Sequence, residues 1–460
     1  MDRFRQRRHV VLAITAGATL AATAACGSSG GSSGSSGAAD APVTISVNCE
    51  PPTTQASARK GWIADVAAFE KLYPYITVKS DDTNPCDNPA TFDAQLASGK
   101  MDNVFYTYFT DADNVISSGQ SADIQQYAGQ ITDESDIQPS LMDVYRQGNS
   151  PSGDLYGIPT GNYSLGLVYN RTLFQRAGLN PDDPPTTWAQ VETDAIAISK
   201  LGNGIAGYGD YSAGNTGGWH FVAELYSRGG SAVTANGRSA GFDNATGQAV
   251  LGYLHKMRFV DNVMGTNQGL QYNDLLQLMA SGKLGMYVGA PDNVTNIHST
   301  YNVPYANLGV GPMPGEKATL LGGSGYMFDK KDTAAQIQAG IKWIDYEFMT
   351  SGEGQFNWQR LAQTGQPVGL PEPDLWQGAA ASANATKVAK YANIPTKNFA
   401  VYVAATPKMK LVIEPPQAQA IYAKGDAVMD AVLTDPNANI PQLLSGFSGQ
   451  VNTILANAQQ

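Results

Sequence analysis

Between Val43 and Thr107 short apolar runs alternate with longer amphipathic ones. "VTISV", "ITVKS" and "NVFYT" are rich in β-branched and aromatic residues, are bounded by Asn, Asp, Pro and Gly, and read as strands. The segment between the first two carries Trp62, Val66 and Phe69 at helical spacing and is stopped at Pro74. Between the second and third, "ATFDAQLASG" reads as a helix ending on Gly99, a glycine cap. The order β-α-β-α-β implies a parallel sheet with right-handed crossovers, an α/β fold. In such a sheet a ligand sits beyond the carboxyl ends of the strands, which draws attention to residues 48–52 and 106–111. Within "FYTYFTD" alternation sets Phe105 and Thr107 on one face and Tyr106 and Tyr108 on the other, so one of the two tyrosines is expected to reach a site and the other to pack inside. Further on, "LYGIP" and "LGLVYN" read as strands joined by "TGNYS", followed by a helix from Arg171 that ends at Gly178.

The first 25 residues have a different pattern. Arg3, Arg5, Arg7 and Arg8 precede the uncharged run "VVLAITAGATLAATAA". That run is alanine-rich, ends in small residues and is shorter than the roughly 20 apolar residues of a bilayer span, so it reads as an export signal. "LAATAAC" resembles a bacterial lipobox, with Thr23 where a branched aliphatic residue is usual, and makes Cys26 the expected lipidation site. The Gly/Ser run from Gly27 to Gly37 cannot bury apolar surface; it reads as a flexible leash spanning roughly 20 Å. Two cysteines remain, Cys49 and Cys86, each following a strand-like run, and in an exported protein such a pair is expected to form a disulfide clamping two neighbouring loops.

The whole chain has 29 Lys plus Arg and 40 Asp plus Glu. Without the first 25 residues, which hold four Arg and one Asp, the balance is 25 against 39, a net charge of −14. So acidic a body is a poor nucleic-acid binder. With only 15% of residues charged and Gly, Asn, Tyr and Gln plentiful, the composition suits neutral hydrogen-bonding ligands. Catalytic and metal signatures are missing. Of the four histidines, His9, His220, His255 and His298, none forms HExxH or a paired metal spacing, so neither a metal nor a cofactor is expected. "GGSGY" lacks the second glycine of a nucleophile elbow, and neither "SGK" has the upstream glycine of a P-loop.

The order "LYGIP", "LVYNRTLFQRAGL", "PPTTWAQV", "QLMASGKLGMYVGAPDNV", "LGVGPMPG", "LGGSGYMF" and "AGIKWIDYEFMTSGEGQ" resembles the extracellular solute-binding proteins of carbohydrate ABC transporters, the group that includes maltose-binding protein and many sugar-binding lipoproteins. The resemblance implies a periplasmic-binding-protein-like fold of type II, in which two α/β lobes joined by hinge crossings close on a ligand. The crossings are expected near residues 161–164, 290–294 and 322–326, where glycine and proline interrupt strand-like runs. The chain then divides into signal (1–25), lipidated linker (26–41), first lobe (42–160 plus 293–321) and second lobe (161–292 plus 322–460).

A sugar needs aromatic platforms and planar hydrogen-bonding groups. Trp219, after the Gly-rich "NTGG", is either such a platform or the anchor of its own helix. Asn162, Tyr163, Asp292, Gly323 and Ser324 are cleft candidates through the crossings, Glu50 through the first strand, and Trp358 through the loop ending at Pro367. Tyr422 lies on an amphipathic helix and reads as core. The implied protein is a monomeric receptor with no enzymatic activity, anchored through Cys26 to the outer face of the cytoplasmic membrane, that delivers an oligosaccharide to ABC permease subunits. Two rival readings stand beside it: the same fold binding a polyamine, peptide or phosphate ester, and a secreted carbohydrate hydrolase.

Overall fold

A computed structural model describes residues 41–53, 55–80, 86, 89–371 and 375–458. The export signal, Cys26 and the Gly/Ser run lie outside the described residues. None of the described helices is long and apolar enough to cross a membrane.

Among the described residues ten strands form two sheets. In the first, β1 (Val43–Val47) pairs in parallel with β2 (Ile76–Ser80) and β3 (Val104–Tyr108), the expected β-α-β-α-β unit. Its helices are Ala56–Leu72 and Pro89–Ser98, and Gly99 follows the second at φ +61°. The disulfide Cys49–Cys86, with Cα atoms 4.9 Å apart, ties the segments that leave β1 and β2. Three further strands complete the sheet at its β3 side. β4 (Gly157–Ser164) runs antiparallel to β9 (Ala318–Phe328), which is antiparallel to β3 on its other edge, and β10 (Lys410–Ile413) runs parallel to β9. The second sheet has the order β6 (Ala206–Tyr208), β7 (Leu284–Gly289), β5 (Gly166–Asn170), β8 (Leu308–Pro312).

The buried apolar residues separate accordingly. Ile45, Phe69, Phe105 and Leu141 share one core with Met327, Trp343 and Trp376. Leu167, Phe221 and Leu254 share another with Leu320, Met429 and Phe447, and Val294, Ile297 and Val310 pack beside them on the second sheet. Two lobes result, and their boundaries correct the division expected from sequence. Residues 293–321 belong to the second lobe, because β8 hydrogen-bonds β5. Residues 322–376 belong to the first, because the second half of β9 and the Ala334–Ile344 helix fill its core. No crossing occurs at 290–294: Pro291 there caps the helix Asp292–Tyr301, which stays in the lobe of β7. The third passage runs instead between Trp376 and Phe399, through the helix Gly378–Tyr391. "TGNYS", expected as a connection, is itself strand; it continues β4 along β9, so the first and third expected crossings form one antiparallel ribbon.

Candidate functional site

The ribbon sets the geometry. β4 occupies one edge of β9 from Leu321 to Met327, so β3 and β10 share the other edge and run toward each other. β3 ends with Tyr108 opposite Ser324, and β10 ends with Ile413 opposite Leu321. Gly322 and Gly323 are left between them, and the carboxyl ends of strands from both sides of the molecule converge on this two-glycine floor.

Tyr163 lies flat over that floor. A Cβ added to Gly322 would come within 2.2 Å of the Tyr163 Cζ and Oη, so only glycine leaves room for the ring. Burial makes the Tyr163 hydroxyl a much weaker acid than usual, and Glu414, Asp292, Tyr106 and Tyr108 lie close enough to push its pKa further up. The edge of Trp219 meets Tyr163 with ring centres 6.3 Å apart. Trp219 is placed by the helix Thr216–Ser227, which opens from Asn215 in the left-handed region at φ 65°. That helix is pressed against Ala418–Thr434 through two glycines: a Cβ on Gly218 would lie 2.2 Å from the Tyr422 carbonyl oxygen, and one on Gly425 2.5 Å from the Gly218 Cα. The Trp219 indole N–H is closed off from solvent and has no protein partner. Behind it Tyr211 is fully buried with its hydroxyl also unpartnered, its ring 6.5 Å from that of Trp219.

Two carboxyl groups border the platform. Glu414 follows β10 and accepts a hydrogen bond of 3.1 Å from the Tyr422 hydroxyl. Burial, with Asp111 adding like charge, pushes it up to about 8. Asp292 opens the helix Asp292–Tyr301. The residue is exposed to solvent, and the protein packed near its carboxyl pushes it up to about 6 against the pull of the backbone N–H groups at the helix start. Tyr106 and Tyr108 are both half-buried, meeting edge to face with ring centres 5.2 Å apart, while Phe105 and Thr107 are buried, as strand alternation requires.

The remaining sequence candidates divide. Ser324 is half-buried beside the floor, and Gly323 lies under Phe109, whose ring an added Cβ would meet at 2.6 Å. Asn162 precedes Tyr163 in an extended strand, so its side chain leaves by the opposite face. There it lines a cavity of about 650 Å3 with Thr160, Phe356, Trp358 and Phe399. Trp358 donates its indole N–H to the Asn384 Oδ1 at 2.8 Å, and its short helix is tied to the first helix of the chain by the bidentate Arg360–Asp65 pair. Asn162 and Trp358 thus line the same cavity, on the face of the ribbon opposite Tyr163. Glu50 joins neither group. Arg59 holds one of its oxygens at 2.6 Å and the Ser80 hydroxyl the other at 2.9 Å, so it braces the loop beside the disulfide. Glu414 was not visible in the sequence reading, although "LVIEPP", an apolar strand ending in a charge before two prolines, is a signal that could have found it.

Beneath the platform the second lobe buries a polar chain. His220 Nδ1 lies 2.5 Å from Asp210 Oδ1, the Tyr208 hydroxyl donates to Glu224 at 3.2 Å, and Glu224 pairs with Arg228 at 3.1 Å. Burial lowers the histidine's affinity for a proton and raises that of both carboxylates.

The sequence model of the bacterial extracellular solute-binding proteins matches residues 53–356. The chain belongs to that family. Solved solute-binding proteins share its fold: an ABC transporter solute-binding protein from Thermotoga lettingae TMO bound with α-D-tagatose is 19% identical with a TM-score of 0.71, covering 90% of this chain and 100% of that one. The cyclic α-maltosyl-1,6-maltose binding protein from Arthrobacter globiformis is 20% identical with a TM-score of 0.69, at 90% and 100% coverage. UgpB from Mycobacterium tuberculosis in complex with glycerophosphocholine is 17% identical with a TM-score of 0.70, at 92% and 100%. In sequence, this solute-binding protein is similar to the sn-glycerol-3-phosphate-binding periplasmic protein UgpB of Rhizobium meliloti (strain 1021), 37% identical over 82 residues, 18% of either chain. The corresponding protein of Yersinia pestis bv. Antiqua (strain Antiqua) is 25% identical over 268 residues, 52% of this chain and 56% of that one. The matches therefore span 18% to 56% of these relatives' lengths.

Proposed function

We propose that this protein is an exported lipoprotein that captures a carbohydrate between its lobes and delivers it to an ABC importer. The observation that carries the reading is the platform of Tyr163 and Trp219 over the Gly322–Gly323 floor, where strands from both lobes end. Ring faces stack on the C–H face of a pyranose, and the surrounding hydroxyls, the Trp219 N–H and the two carboxyl groups suit its hydroxyls. Selectivity would come from closure: only a solute that touches both lobes binds the closed state better than the open one, and it shifts the population by that difference alone. The Gly322–Gly323 ribbon is the hinge in this reading, and Cys26, lipidated and followed by its leash, keeps the receptor at the membrane.

The similarity to UgpB proteins motivates a second reading, a glycerol phosphate ester. The charges near Tyr163 argue against it, since Glu414, Asp292 and Asp111 would repel a phosphate and no cation is among the groups acting on Tyr163 or Glu414. A thermal-shift screen over mono- and oligosaccharides and glycerol 3-phosphate tests both, because a ligand bound only by the native state raises its melting temperature. Saccharide binding that Trp219→Ala and Tyr163→Ala each weaken tenfold or more is the expected result. Unchanged affinity in both variants refutes the site, turnover of the saccharide refutes the receptor, and a shift with glycerol 3-phosphate alone refutes the carbohydrate. Mass spectrometry of the native N-terminus tests the lipid on Cys26.

A further inference from the structure

The cavity behind the ribbon plays no part in the solute platform, yet it has the make-up of a small-molecule pocket. Its volume of about 650 Å3 is in the range of such pockets. Its walls come from both lobes: Phe356 and Leu375 pack with the first core, Leu370 and Phe399 with the second sheet. The helix Gly378–Tyr391 supplies a further side through Val388 and Ala389. Trp358 is fixed by its hydrogen bond to Asn384 and offers a ring held in one orientation. Although the chain carries 40 Asp and Glu, none of the described residues lining the cavity is ionisable. An ion entering would lose water without gaining a counter-charge, so the walls select against charged occupants.

A polar group points to an occupant independently of these walls. The ribbon is gripped on either side of Asn162. Pairing of β4 with β9 slips between Pro159 and Gly161, and the carbonyl of Thr160, at the slip, accepts from Gln355 Nε2 of the first lobe at 2.8 Å. The Ser164 carbonyl accepts from the hydroxyl of Tyr402, which packs in the second lobe, at 3.0 Å. Asn162 lies between the two grips and lines the cavity, and its amide nitrogen is closed off from solvent without a protein partner. A donor left so is exceptional in a folded protein. The last torsion of an asparagine is soft, and a turn about it presents the amide to an acceptor in the cavity.

We propose that this cavity is a second ligand site, for an uncharged and largely apolar molecule that presents one hydrogen-bond acceptor to Asn162, and that its occupant steadies the ribbon. The site does not depend on which solute the platform takes. Asn162 and Tyr163 are consecutive on β4 and face opposite ways, so an occupant behind the ribbon acts on the strand that carries the platform. Touching both lobes, it favours the lobe spacing at which it fits, and by linkage it and the solute change each other's affinity by one common factor.

The test is fluorescence titration of the mature chain with prodan, an uncharged naphthalene ketone whose emission shifts to the blue in apolar surroundings. Competitors of one shape follow: 2-acetylnaphthalene, 2-ethylnaphthalene, which lacks the acceptor, and 2-naphthoate, which carries a charge. Expected are one prodan per chain, displacement by the acetyl compound at least tenfold better than by the naphthoate, and at least threefold better than by the ethyl compound. Asn162→Leu should abolish the preference for acetyl over ethyl. Ala389→Trp adds bulk from an exposed helix position, so it should fold normally by circular dichroism and weaken prodan at least tenfold. Bound prodan should slow amide exchange at residues 161–163 at least threefold. No binding, or binding that both variants leave unchanged, overturns the site. Naphthoate binding as tightly as the ketone overturns the uncharged class, and unchanged exchange at residues 161–163 overturns the action on the ribbon. Displacement of prodan by maltotriose in a Tyr163→Ala background would put saccharide in the cavity and overturn it as a second site.

Discussion

Replacing Gly322 with alanine should act almost entirely through one ring. The new methyl would lie 2.2 Å from Tyr163 Cζ and Oη, against an ordinary carbon contact of about 3.5 Å. The tyrosine must therefore retreat by more than about 1 Å, into Trp219 or out of the site. The backbone adds nothing to this, because Gly322 is not among the glycines with positive φ and alanine is unstrained there. Overpacking of this kind costs about 1–3 kcal/mol, a few degrees of melting temperature in a protein of this size. A double-mutant cycle isolates the cause. In a Tyr163→Ala background the methyl meets no ring, so Gly322→Ala should be close to neutral and the coupling should equal about 1–3 kcal/mol. Gly323→Ala is the internal control: its methyl strikes Phe109 at 2.6 Å, and its cost should persist without Tyr163. Urea unfolding followed by circular dichroism gives all six stabilities. Additive costs for Gly322→Ala and Tyr163→Ala would refute the claim that the ring rests on the glycine floor.

Three other outcomes follow from the structure. Gly218→Ala should be costlier than Gly322→Ala, about 3 kcal/mol or more, because its methyl meets the Tyr422 carbonyl oxygen at 2.2 Å and no rotamer relieves a backbone contact; an unchanged melting temperature would contradict the close approach of the two helices. Replacing Cys49 and Cys86 by serine should cost about 4 kcal/mol in the chain-entropy model for a 37-residue separation, read by calorimetry; a loss below 1 kcal/mol would show the loops to be held by other contacts. Stability should fall as pH rises from 6.5 to 8. Asp210 and Glu224 are raised to about 7 and about 8, so their contribution is complete below their unfolded values near 4 and is lost as they ionise in the folded state. His220 is lowered, which penalises folding only below its unfolded value of about 6.5. Glu224→Gln should flatten the slope between pH 6.5 and 8, since the amide cannot ionise; an unchanged slope would place the titration elsewhere.

Local features of the chain were legible wherever their cause is local. The first three strands and their helices follow from period and punctuation, and Gly99 caps its helix at positive φ as the pattern requires. Lobe membership was not legible, because glycine and proline in "VGAPDN" mark a helix start as readily as a hinge, and only the pairing of β8 with β5 decides between them. The face of the ribbon on which each candidate lies was hidden for a related reason. Asn162 and Tyr163 are neighbours in sequence, but once "TGNYS" is strand they separate to opposite faces, and Asn162 goes with Trp358 to the cavity behind. Trp219 was open between platform and anchor; the structure sets it half-exposed beside Tyr163. Glu414 lies some 250 residues from Tyr163 in sequence, and only the fold brings the two together.

The central place of β9 in the first sheet also fixes the order in which the protein can be built. Its partners β3 and β4 are complete by residue 164, yet β9 ends at Phe328, after the whole second sheet. At 5–20 residues per second a ribosome needs roughly 8–30 s to make that intervening length. Throughout it β3 and β4 present unpaired edges, the kind that associate with other chains. The second lobe waits longer, since its core takes Met429, Phe447 and Leu455 from the last 35 or so residues. Neither lobe can finish before its late segments, Trp376 in the first core and Leu455 in the second, have been made. A protein with this threading is suited to crossing a membrane unfolded and acquiring both lobes together on the far side.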